Sequence, residues 1–422
     1  MTDNIAAREQ AVLQPSAALA MQQSGKAATA AGAPASGRNL PVGYLRAFVT
    51  LLVLWHHSTL AYVATGLAKT AFNKPPFIWG AFPIEDPHSF APFGIIAGYN
   101  DVFFMSLMFF VSGLFVTDSL KRKGATGFMR DRIVRLGIPF AVCAAILAPL
   151  AYMPAYLSRG GTVSTFIPAW LSLPQWFSGP AWFLWVLLAY GAVAAGLWAV
   201  APRAFPALGR ICGAAGQRPI VFYAGLAGVS ALAYFVMIHA FDSSSWFNWG
   251  PFTIQKGRVI HYAVYFFAGI GVGAAGLEQG LLAAGGRLAR RWPVWLGASV
   301  LAFAAIGAFL VAAILAKGQP RLLWDGFGAP LFALACAASC FAVTGIFLRF
   351  ATKRTAVWDS LANNAYGMYL THYVFAAWVQ YALLSLALPG LVKGLMVFTS
   401  VVALSWGVTM LLRRAPLARH VL

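Results

Sequence analysis

Ten apolar runs of about 20 residues each follow one another along the chain, separated by short polar or basic stretches. An α-helix needs about 20 apolar residues to cross the hydrocarbon core of a bilayer, so each run is long enough to span a membrane. The runs lie near residues 44–66, 101–118, 136–157, 180–201, 219–239, 258–277, 294–316, 326–348, 359–384 and 390–411. This pattern predicts an all-α polytopic membrane protein with about ten transmembrane helices.

The composition agrees with a membrane setting, because 60% of the residues are hydrophobic and only 10% are charged. Residues 1–40 differ from the rest, since they are rich in Ala, Gln, Ser and Gly and contain no continuous apolar core. We therefore expect a disordered cytosolic tail at 1–40 without a signal peptide, a transmembrane domain at 41–415 and a second cytosolic tail at 416–422.

The placement of Lys and Arg predicts the orientation. If the first tail is cytosolic, the segments that follow on the cytosolic side carry eighteen basic residues: Lys121, Arg122, Lys123, Arg130, Arg132, Arg135, Arg203, Arg210, Arg218, Arg287, Arg290, Arg291, Arg349, Lys353, Arg354, Arg413, Arg414 and Arg419. Seven fall on the opposite side: Lys69, Lys74, Arg159, Lys256, Arg258, Lys317 and Arg321. By the positive-inside rule both termini are cytosolic. The net charge of +19 is then a topology signal, which predicts a lipid bilayer and no nucleic acid as partner.

The first apolar run, "YLRAFVTLLVLWHHSTLAY", carries Arg46 near its start and two histidines beyond its middle. Arg46 and His57 are eleven residues apart, which is about three helical turns plus 20° and about 16 Å along the axis, so both side chains point the same way. His56 lies about 80° off that line. An ionisable residue in lipid indicates a functional site by default, although hydrogen bonding to a neighbouring helix also explains a buried histidine. We expect His57 to be functional and His56 to be a packing residue.

Several short motifs along the chain resemble those of acyltransferase family 3, a family of membrane-bound acyltransferases. "LRAFVTLLVLWHH" is similar to its first-helix motif, in which a basic residue precedes the catalytic histidine. "NDVFFMSLMFFVSGLF", "RDR" at 130–132, "GPAWFLWVLL" and "NNAYGMYLTHY" resemble later motifs in the same order. The late motif departs from the usual Ser-Tyr at Asn364-Ala365-Tyr366, and "RLGIPF" resembles the branch that modifies periplasmic glucans. The resemblance covers roughly residues 40–415.

This resemblance implies an O-acyltransferase of the bacterial inner membrane. It would move an acyl group from cytosolic acyl-CoA, such as acetyl- or succinyl-CoA, to a hydroxyl of a glycan or other acceptor at the outer face. No cofactor is expected to be bound permanently. His57 and Arg46 are the expected catalytic pair, with His57 as general base. Arg130, Arg132 and Arg135 are the expected donor-binding residues, since arginines pair with the phosphates of coenzyme A. Topology alone also explains arginines in a cytosolic loop.

A base needs orienting and acceptor-binding partners. The polar and aromatic candidates for this supporting role are Asp101, Ser112, Trp182, Arg258, His261, Tyr366 and His372. Arg258 and His261 are three residues apart and are expected to share a helix face, while Arg258 also has the simpler role of reaching the membrane interface. His372 has a second interpretation as a hydrogen-bonded packing residue. The cluster of Glu85, Asp86 and His88 has two interpretations: it binds sugar hydroxyls, or it binds nothing.

One other class of function remains open. A secondary transporter that exports a polysaccharide or lipid-linked sugar also places ionisable residues inside the membrane, but it usually shows two repeated halves, and no clear repeat is present. A metalloenzyme needs clustered ligands, whereas the seven histidines are scattered, so no metal is expected. A transient acyl-enzyme is a further alternative to direct transfer.

Overall fold

The structure is a computed structural model that describes residues 39–64, 70–316 and 320–421. The predicted tail at 1–40 lies outside the described residues except for its last two positions. Lys69, Lys317 and the side chain of Arg419, three of the residues used to predict orientation, also lie outside them.

Long helices account for most of the described chain. In chain order the helices are α1 (Leu40–Thr59), α2 (Ala91–Gly113), α3 (Val116–Leu157), α4 (Val163–Leu171), α5 (Trp182–Val200), α6 (Ala204–Gly216), α7 (Pro219–Phe241), α8 (Val259–Ala275), α9 (Arg287–Arg290), α10 (Trp292–Leu315), α11 (Arg321–Phe350), α12 (Ala356–Ala382), α13 (Gly390–Leu412) and α14 (Pro416–Val421). Short 3₁₀ turns lie at Leu60–Tyr62, Ile78–Gly80, Gly179–Ala181, Lys256–Arg258 and Gly280–Leu282. Between α7 and α8, the strands β1 (Trp246–Trp249) and β2 (Phe252–Gln255) form an antiparallel hairpin.

The prediction of an all-α polytopic membrane protein is confirmed, with the hairpin as a small addition. Each of the ten predicted runs overlaps a long helix over most of its described length. Within the described ranges, eight helices are long and apolar enough to cross a membrane. The two others, α1 and α12, are those that carry His57 and His372, and their polar residues lower their hydropathy. The number of spans and the side on which the termini lie therefore stay predictions.

Two predicted boundaries were wrong. The second helix begins at Ala91, ten residues before the predicted start, because a proline in its first turn opens it there. Asp101 consequently lies in the middle of α2 and not near its end. The third helix begins at Val116, since a basic stretch with a bend at Gly124 (φ 65°) precedes the apolar run. Hydropathy does not detect such polar extensions, nor short elements such as α4, α6 and the hairpin.

Glycines let α2 and α8 approach at backbone distance. A Cβ atom placed on Gly269 would lie 2.1 Å from the Phe110 carbonyl oxygen, and one on Gly113 would lie 2.2 Å from the Phe266 carbonyl oxygen. Without a hydrophobic driving force between helices in lipid, such close contact of small residues is a main source of helix association. This crossing holds the polar residues of α2 and α8 in fixed register.

The connections gather at two ends of the bundle. One end, here called the hairpin end, holds the segments at 60–64 and 70–90, the connection between α3 and α5, and the β-hairpin. Two ion pairs tie it together: Asp86 accepts from Lys393 of α13 at 2.6 Å with neither side chain exposed, and Glu85 accepts from Arg159 at 3.2 Å. These acidic residues, which the sequence left open as sugar ligands, are thus engaged within the protein.

The opposite end, here called the basic end, holds the arginines at 130–135 and the beginnings of α1 and α12. The Tyr44 hydroxyl donates to Asp359 at 3.0 Å, and the Arg46 guanidinium donates to the Ala362 carbonyl at 3.2 Å. Both bonds join α1 to α12, and Arg46 lies on the same face of α1 as His57, about three turns before it.

Candidate active site

A cavity of about 630 Å³ opens at the hairpin end and reaches into the bundle between α1, α2, α8 and α12. Its walls are mainly aromatic and apolar, which is typical of small-molecule sites. The polar and ionisable side chains on its walls are His56, His57, Asp101, Gln175, Ser178, Asn248, Thr253, Gln255, Arg258, Tyr152, Tyr262, Tyr369 and Tyr373.

His57 is held by two hydrogen-bond partners on one ring nitrogen. Its Nδ1 lies 2.9 Å from the Val53 carbonyl oxygen and 3.1 Å from Nε2 of His372. Nδ1 of His372 lies 2.6 Å from the Tyr369 carbonyl oxygen. Because a carbonyl oxygen can only accept, each neutral imidazole carries its proton on Nδ1. His372 Nε2 is then an acceptor for the His57 Nδ1 proton, and His57 Nε2 has a free lone pair.

Helix packing sets this arrangement. The last turn of α1 lies against α12, where Gln380 donates to the carbonyl oxygens of His57 and Ser58 at 2.8 and 3.1 Å. These bonds satisfy carbonyls that have no partner within the helix end. They also fix the distance between α1 and α12 next to the paired imidazoles.

Opposite the histidines, the cavity wall carries an ion pair between the buried Arg258 and the half-exposed Asp101. Arg258 donates to the two carboxylate oxygens of Asp101 at 2.9 and 2.5 Å and to the Asp101 carbonyl oxygen at 3.1 Å. The guanidinium carbon lies 5.1 Å from the Phe332 ring centroid. Trp182 stacks on Tyr262 nearby, with centroids 5.8 Å apart. The structure thus brings together three predicted residues from separate segments, Asp101, Trp182 and Arg258, on one cavity wall.

The predicted donor residues lie at the basic end, away from the cavity. Arg130 and Arg135 are exposed, and Arg132 is half-buried with its guanidinium carbon 4.9 Å from the Phe128 ring centroid. The Tyr366 hydroxyl donates to the Arg135 carbonyl oxygen. Tyr366 is therefore placed with the arginines and not with His57.

A narrow internal space of about 20 Å³ lies between α3 and α12, and its walls include Cys143 and Leu147. It shares Ser178, Pro180, Tyr369 and Tyr373 with the large cavity. Its α3 wall contains two π-helical segments, Ile133–Gly137 and Cys143–Leu147, in which the helical hydrogen bonds are displaced. Such segments occur often at functional sites. The first of them begins directly after Arg132.

The acyltransferase domain family model matches residues 42–414. The chain belongs to acyltransferase family 3. No curated protein and no solved structure matches it significantly. The predicted family resemblance is confirmed, and with it a membrane protein that transfers acyl groups. The assignment to the glucan-modifying branch stays a prediction.

Four of the supporting residues predicted for this acyltransferase do not line the cavity: Ser112, His261, Tyr366 and His372. Of these, His372 is bonded to the cavity residue His57. His261 is fully buried, and its Nε2 lies 3.2 Å from the Ser106 hydroxyl and 3.6 Å from the Cys336 sulfur. Arg258 belongs to a 3₁₀ turn that precedes α8, and both Arg258 and His261 contact the Phe332 ring, at 5.1 and 5.4 Å from its centroid. Ser112 is half-buried at the last-but-one position of α2, beyond the cavity.

Other cavity residues of the acyltransferase were not predicted from the sequence. His56 lies on the wall beside Phe104, with ring centroids 5.2 Å apart, and its Nδ1 has no partner among the described residues. Tyr373 contacts the His57 ring edge to face at 5.1 Å. The tyrosine stands one position after His372 in the late motif, so the motif itself was the only available signal.

The cysteines do not form disulfides in the described chain: Cys143, Cys212, Cys336 and Cys340 are free and buried. Among the described residues, no three His, Cys, Asp or Glu side chains are grouped as metal ligands would be. The chemistry available at the cavity is therefore that of the imidazoles, the Asp101–Arg258 pair and the phenol groups.

Proposed function

We propose that this acyltransferase moves an acyl group from acyl-CoA, such as acetyl- or succinyl-CoA, to a hydroxyl of an extracytoplasmic carbohydrate, with His57 as general base. One observation carries the proposal: the bonds at Nδ1 leave the Nε2 lone pair of His57 free on the wall of a 630 Å³ cavity.

In the proposed reaction, His57 Nε2 takes the proton of the acceptor hydroxyl as its oxygen attacks the thioester carbon. The carbon–oxygen bond forms, the carbon–sulfur bond of the tetrahedral intermediate breaks, and the leaving sulfur takes the proton back from Nε2. The products are an ester and free coenzyme A. As the imidazole becomes doubly protonated, its Nδ1 proton stays bonded to the Val53 carbonyl oxygen and His372 Nε2, which holds the ring in place.

The donor is proposed to enter from the basic end. The positive charge that phosphates require comes from Arg130, Arg132 and Arg135. Of these, the half-buried Arg132 is the best placed to bind a phosphate group selectively. The space beside Cys143 shares wall residues with the cavity, and we expect the thin pantetheine arm to pass through it when α3 and α12 separate slightly. Arg46, about three turns from His57 on the same face of α1, would assist at this entrance.

Proposed membrane orientation follows from this route: the basic end faces the cytosol, the hairpin end faces outward, and the protein is placed in the bacterial inner membrane. Single cysteines test the orientation because the native cysteines are buried. A membrane-impermeant maleimide added to whole cells is expected to label Trp249→Cys and not Arg354→Cys. The reverse pattern would exclude the proposed donor route.

The decisive assay follows thiol release from labelled acetyl- and succinyl-CoA by purified protein, with and without a periplasmic glycan extract. We expect release to require the extract and to fall about 10² to 10⁴-fold in His57→Ala, the usual contribution of a general base. His239→Ala is the matched control, since this histidine is exposed and paired with Asp325 at the outer part of the bundle. No consumption of either donor, combined with altered passage of a glycan across the membrane, would favour an exporter instead.

A further inference from the structure

The β-hairpin turns one face toward the cavity. Trp246 pairs with Gln255 and Asn248 pairs with Thr253 across the two strands. Side chains of directly paired residues lie on the same face of a sheet, and residues two apart share that face. These four side chains accordingly all line the cavity that contains His57.

The opposite face of the hairpin packs partly against the bundle and is partly exposed. It carries Phe247, Trp249, Phe252 and Ile254. Ile254 is 3% exposed, whereas Trp249 is 71% exposed and stacks on Phe252. The anchored strand β2 is held further by Trp185, whose Nε1 donates to the Thr253 carbonyl oxygen at 3.0 Å. The cavity-facing side chains are therefore presented by a fixed element.

The cavity opening offers hydrogen-bonding groups that lack partners within the protein. Among the described residues, the side-chain amides of Gln175 and Asn248 have no hydrogen bond. Trp246, 48% exposed, adds a large apolar ring surface beside them. Apart from histidines, the charged side chains on the described cavity wall are Asp101 and Arg258, and these neutralise each other. The opening thus presents carboxamides, hydroxyls and one indole without unpaired charge.

We infer that the cavity face of the hairpin is the acceptor-binding site and that it takes a neutral sugar ring stacked on Trp246. A pyranose presents an apolar C–H face and a rim of hydroxyl groups, which matches an aromatic surface flanked by carboxamides. A charged acceptor would find no counter-ion at this opening. The inference deepens the proposed acyl transfer and rests on it for the role of the bound sugar.

Direct binding tests this site independently of the chemistry. Full-length protein in nanodiscs, free of maltoside detergents whose head groups would compete, is titrated with neutral cello-, laminari- and malto-oligosaccharides and with anionic oligogalacturonates. Saturation-transfer NMR and calorimetry report binding. We expect neutral sugars to bind and Trp246→Ala to weaken them by about tenfold or more, the loss typical of a central aromatic contact. Trp246→Phe should recover part of the affinity.

The chain supplies matched controls on the same strand. Trp249→Ala removes an indole from the other face and should bind like the wild type, which excludes general damage to the hairpin. His57→Ala should bind like the wild type while losing thiol release. If Trp246→Ala binds unchanged, if the anionic sugars bind as well as the neutral ones, or if no sugar binds the wild type, the inference is wrong. Thiol release that depends on His57 but not on Trp246 would sustain the proposed function and exclude this site alone.

Discussion

Replacing His372 tests whether it orients the base. Two substitutions distinguish its bond to His57 from its bond to the Tyr369 carbonyl: His372→Gln and His372→Asn. A glutamine amide oxygen reaches the position of Nε2 and can accept the His57 proton, whereas an asparagine amide nitrogen reaches the position of Nδ1 and keeps only the bond to the Tyr369 carbonyl. The side chain is fully buried, so both amides are confined to the space that the imidazole occupies.

The expected magnitude follows from the two acceptors at His57 Nδ1, 2.9 and 3.1 Å away. Losing one of them removes a net hydrogen-bond contribution of about 0.5–1.5 kcal/mol, which corresponds to a fall in kcat of about two- to twelvefold. The loss stays far below the roughly 10⁴-fold effect seen when a tautomer is no longer fixed, because the Val53 carbonyl still holds the proton on Nδ1. His372→Asn should show this fall and His372→Gln should be close to wild type.

The assay is steady-state thiol release at varied acyl-CoA concentration with the acceptor held constant. A positioning residue should lower kcat and leave the KM for acyl-CoA unchanged. The double variant with His57→Ala should be no slower than His57→Ala alone, since residues that act as a unit are not additive. Equal losses in the Gln and Asn variants, or a change confined to KM, would refute the orienting role.

Three further predictions concern other parts of the fold. Arg132→Gln should raise the KM for acyl-CoA by about tenfold, the value of one lost charge-assisted bond, and leave kcat unchanged. The control Arg349→Gln, at an exposed arginine, should change neither constant. Equal effects of the two substitutions would mean that Arg132 serves only the membrane orientation. Lys393→Met should destabilise the protein by about 3–5 kcal/mol because it leaves the fully buried Asp86 carboxylate unpaired. Lys123→Met breaks an exposed pair and should cost about 1 kcal/mol or less. Thermal unfolding in detergent measures both variants, and equal unfolding midpoints would contradict the stabilising role of the Lys393–Asp86 pair. Gly269→Ala should lower the unfolding midpoint, since its Cβ would lie 2.1 Å from a backbone oxygen of α2 and overpacking costs about 1–3 kcal/mol; an unchanged midpoint would show that the crossing is loose.

Features that depend on neighbouring residues could be predicted from the sequence. Helical phase placed Arg46 and His57 on one face of α1, and in the structure both contact α12, at Ala362 and His372. Features that depend on distant residues could not. The ion pair of Lys393 with Asp86 could not be predicted, because the two residues are 307 positions apart and nothing in either segment indicates the other.

The hairpin shows a second kind of limit. Its strands are four residues long, and in sequence "WFNW" and "FTIQ" are indistinguishable from an aromatic loop at the membrane interface. Pairing decides which aromatic side chains face the cavity, and pairing depends on β2 being anchored to α5 through the Trp185 bond to the Thr253 carbonyl. The alternation of side chains along β1 and β2 therefore identifies the cavity face only when the contact that anchors the hairpin is known.

The two adjacent histidines show why helical phase alone does not identify a base. The roughly 100° between the neighbouring residues His56 and His57 suggested that one faces the site and the other packs, yet both line the cavity. The difference lies in their Nδ1 atoms: that of His57 has two partners, whereas that of His56 has none among the described residues. When Nδ1 has no hydrogen-bond partner, no hydrogen bond fixes which ring nitrogen carries the proton, so the basic nitrogen is not directed to one side of the ring. The choice of His57 thus rests on α12, more than 300 residues along the chain, and a substitution there should affect catalysis through His57 alone.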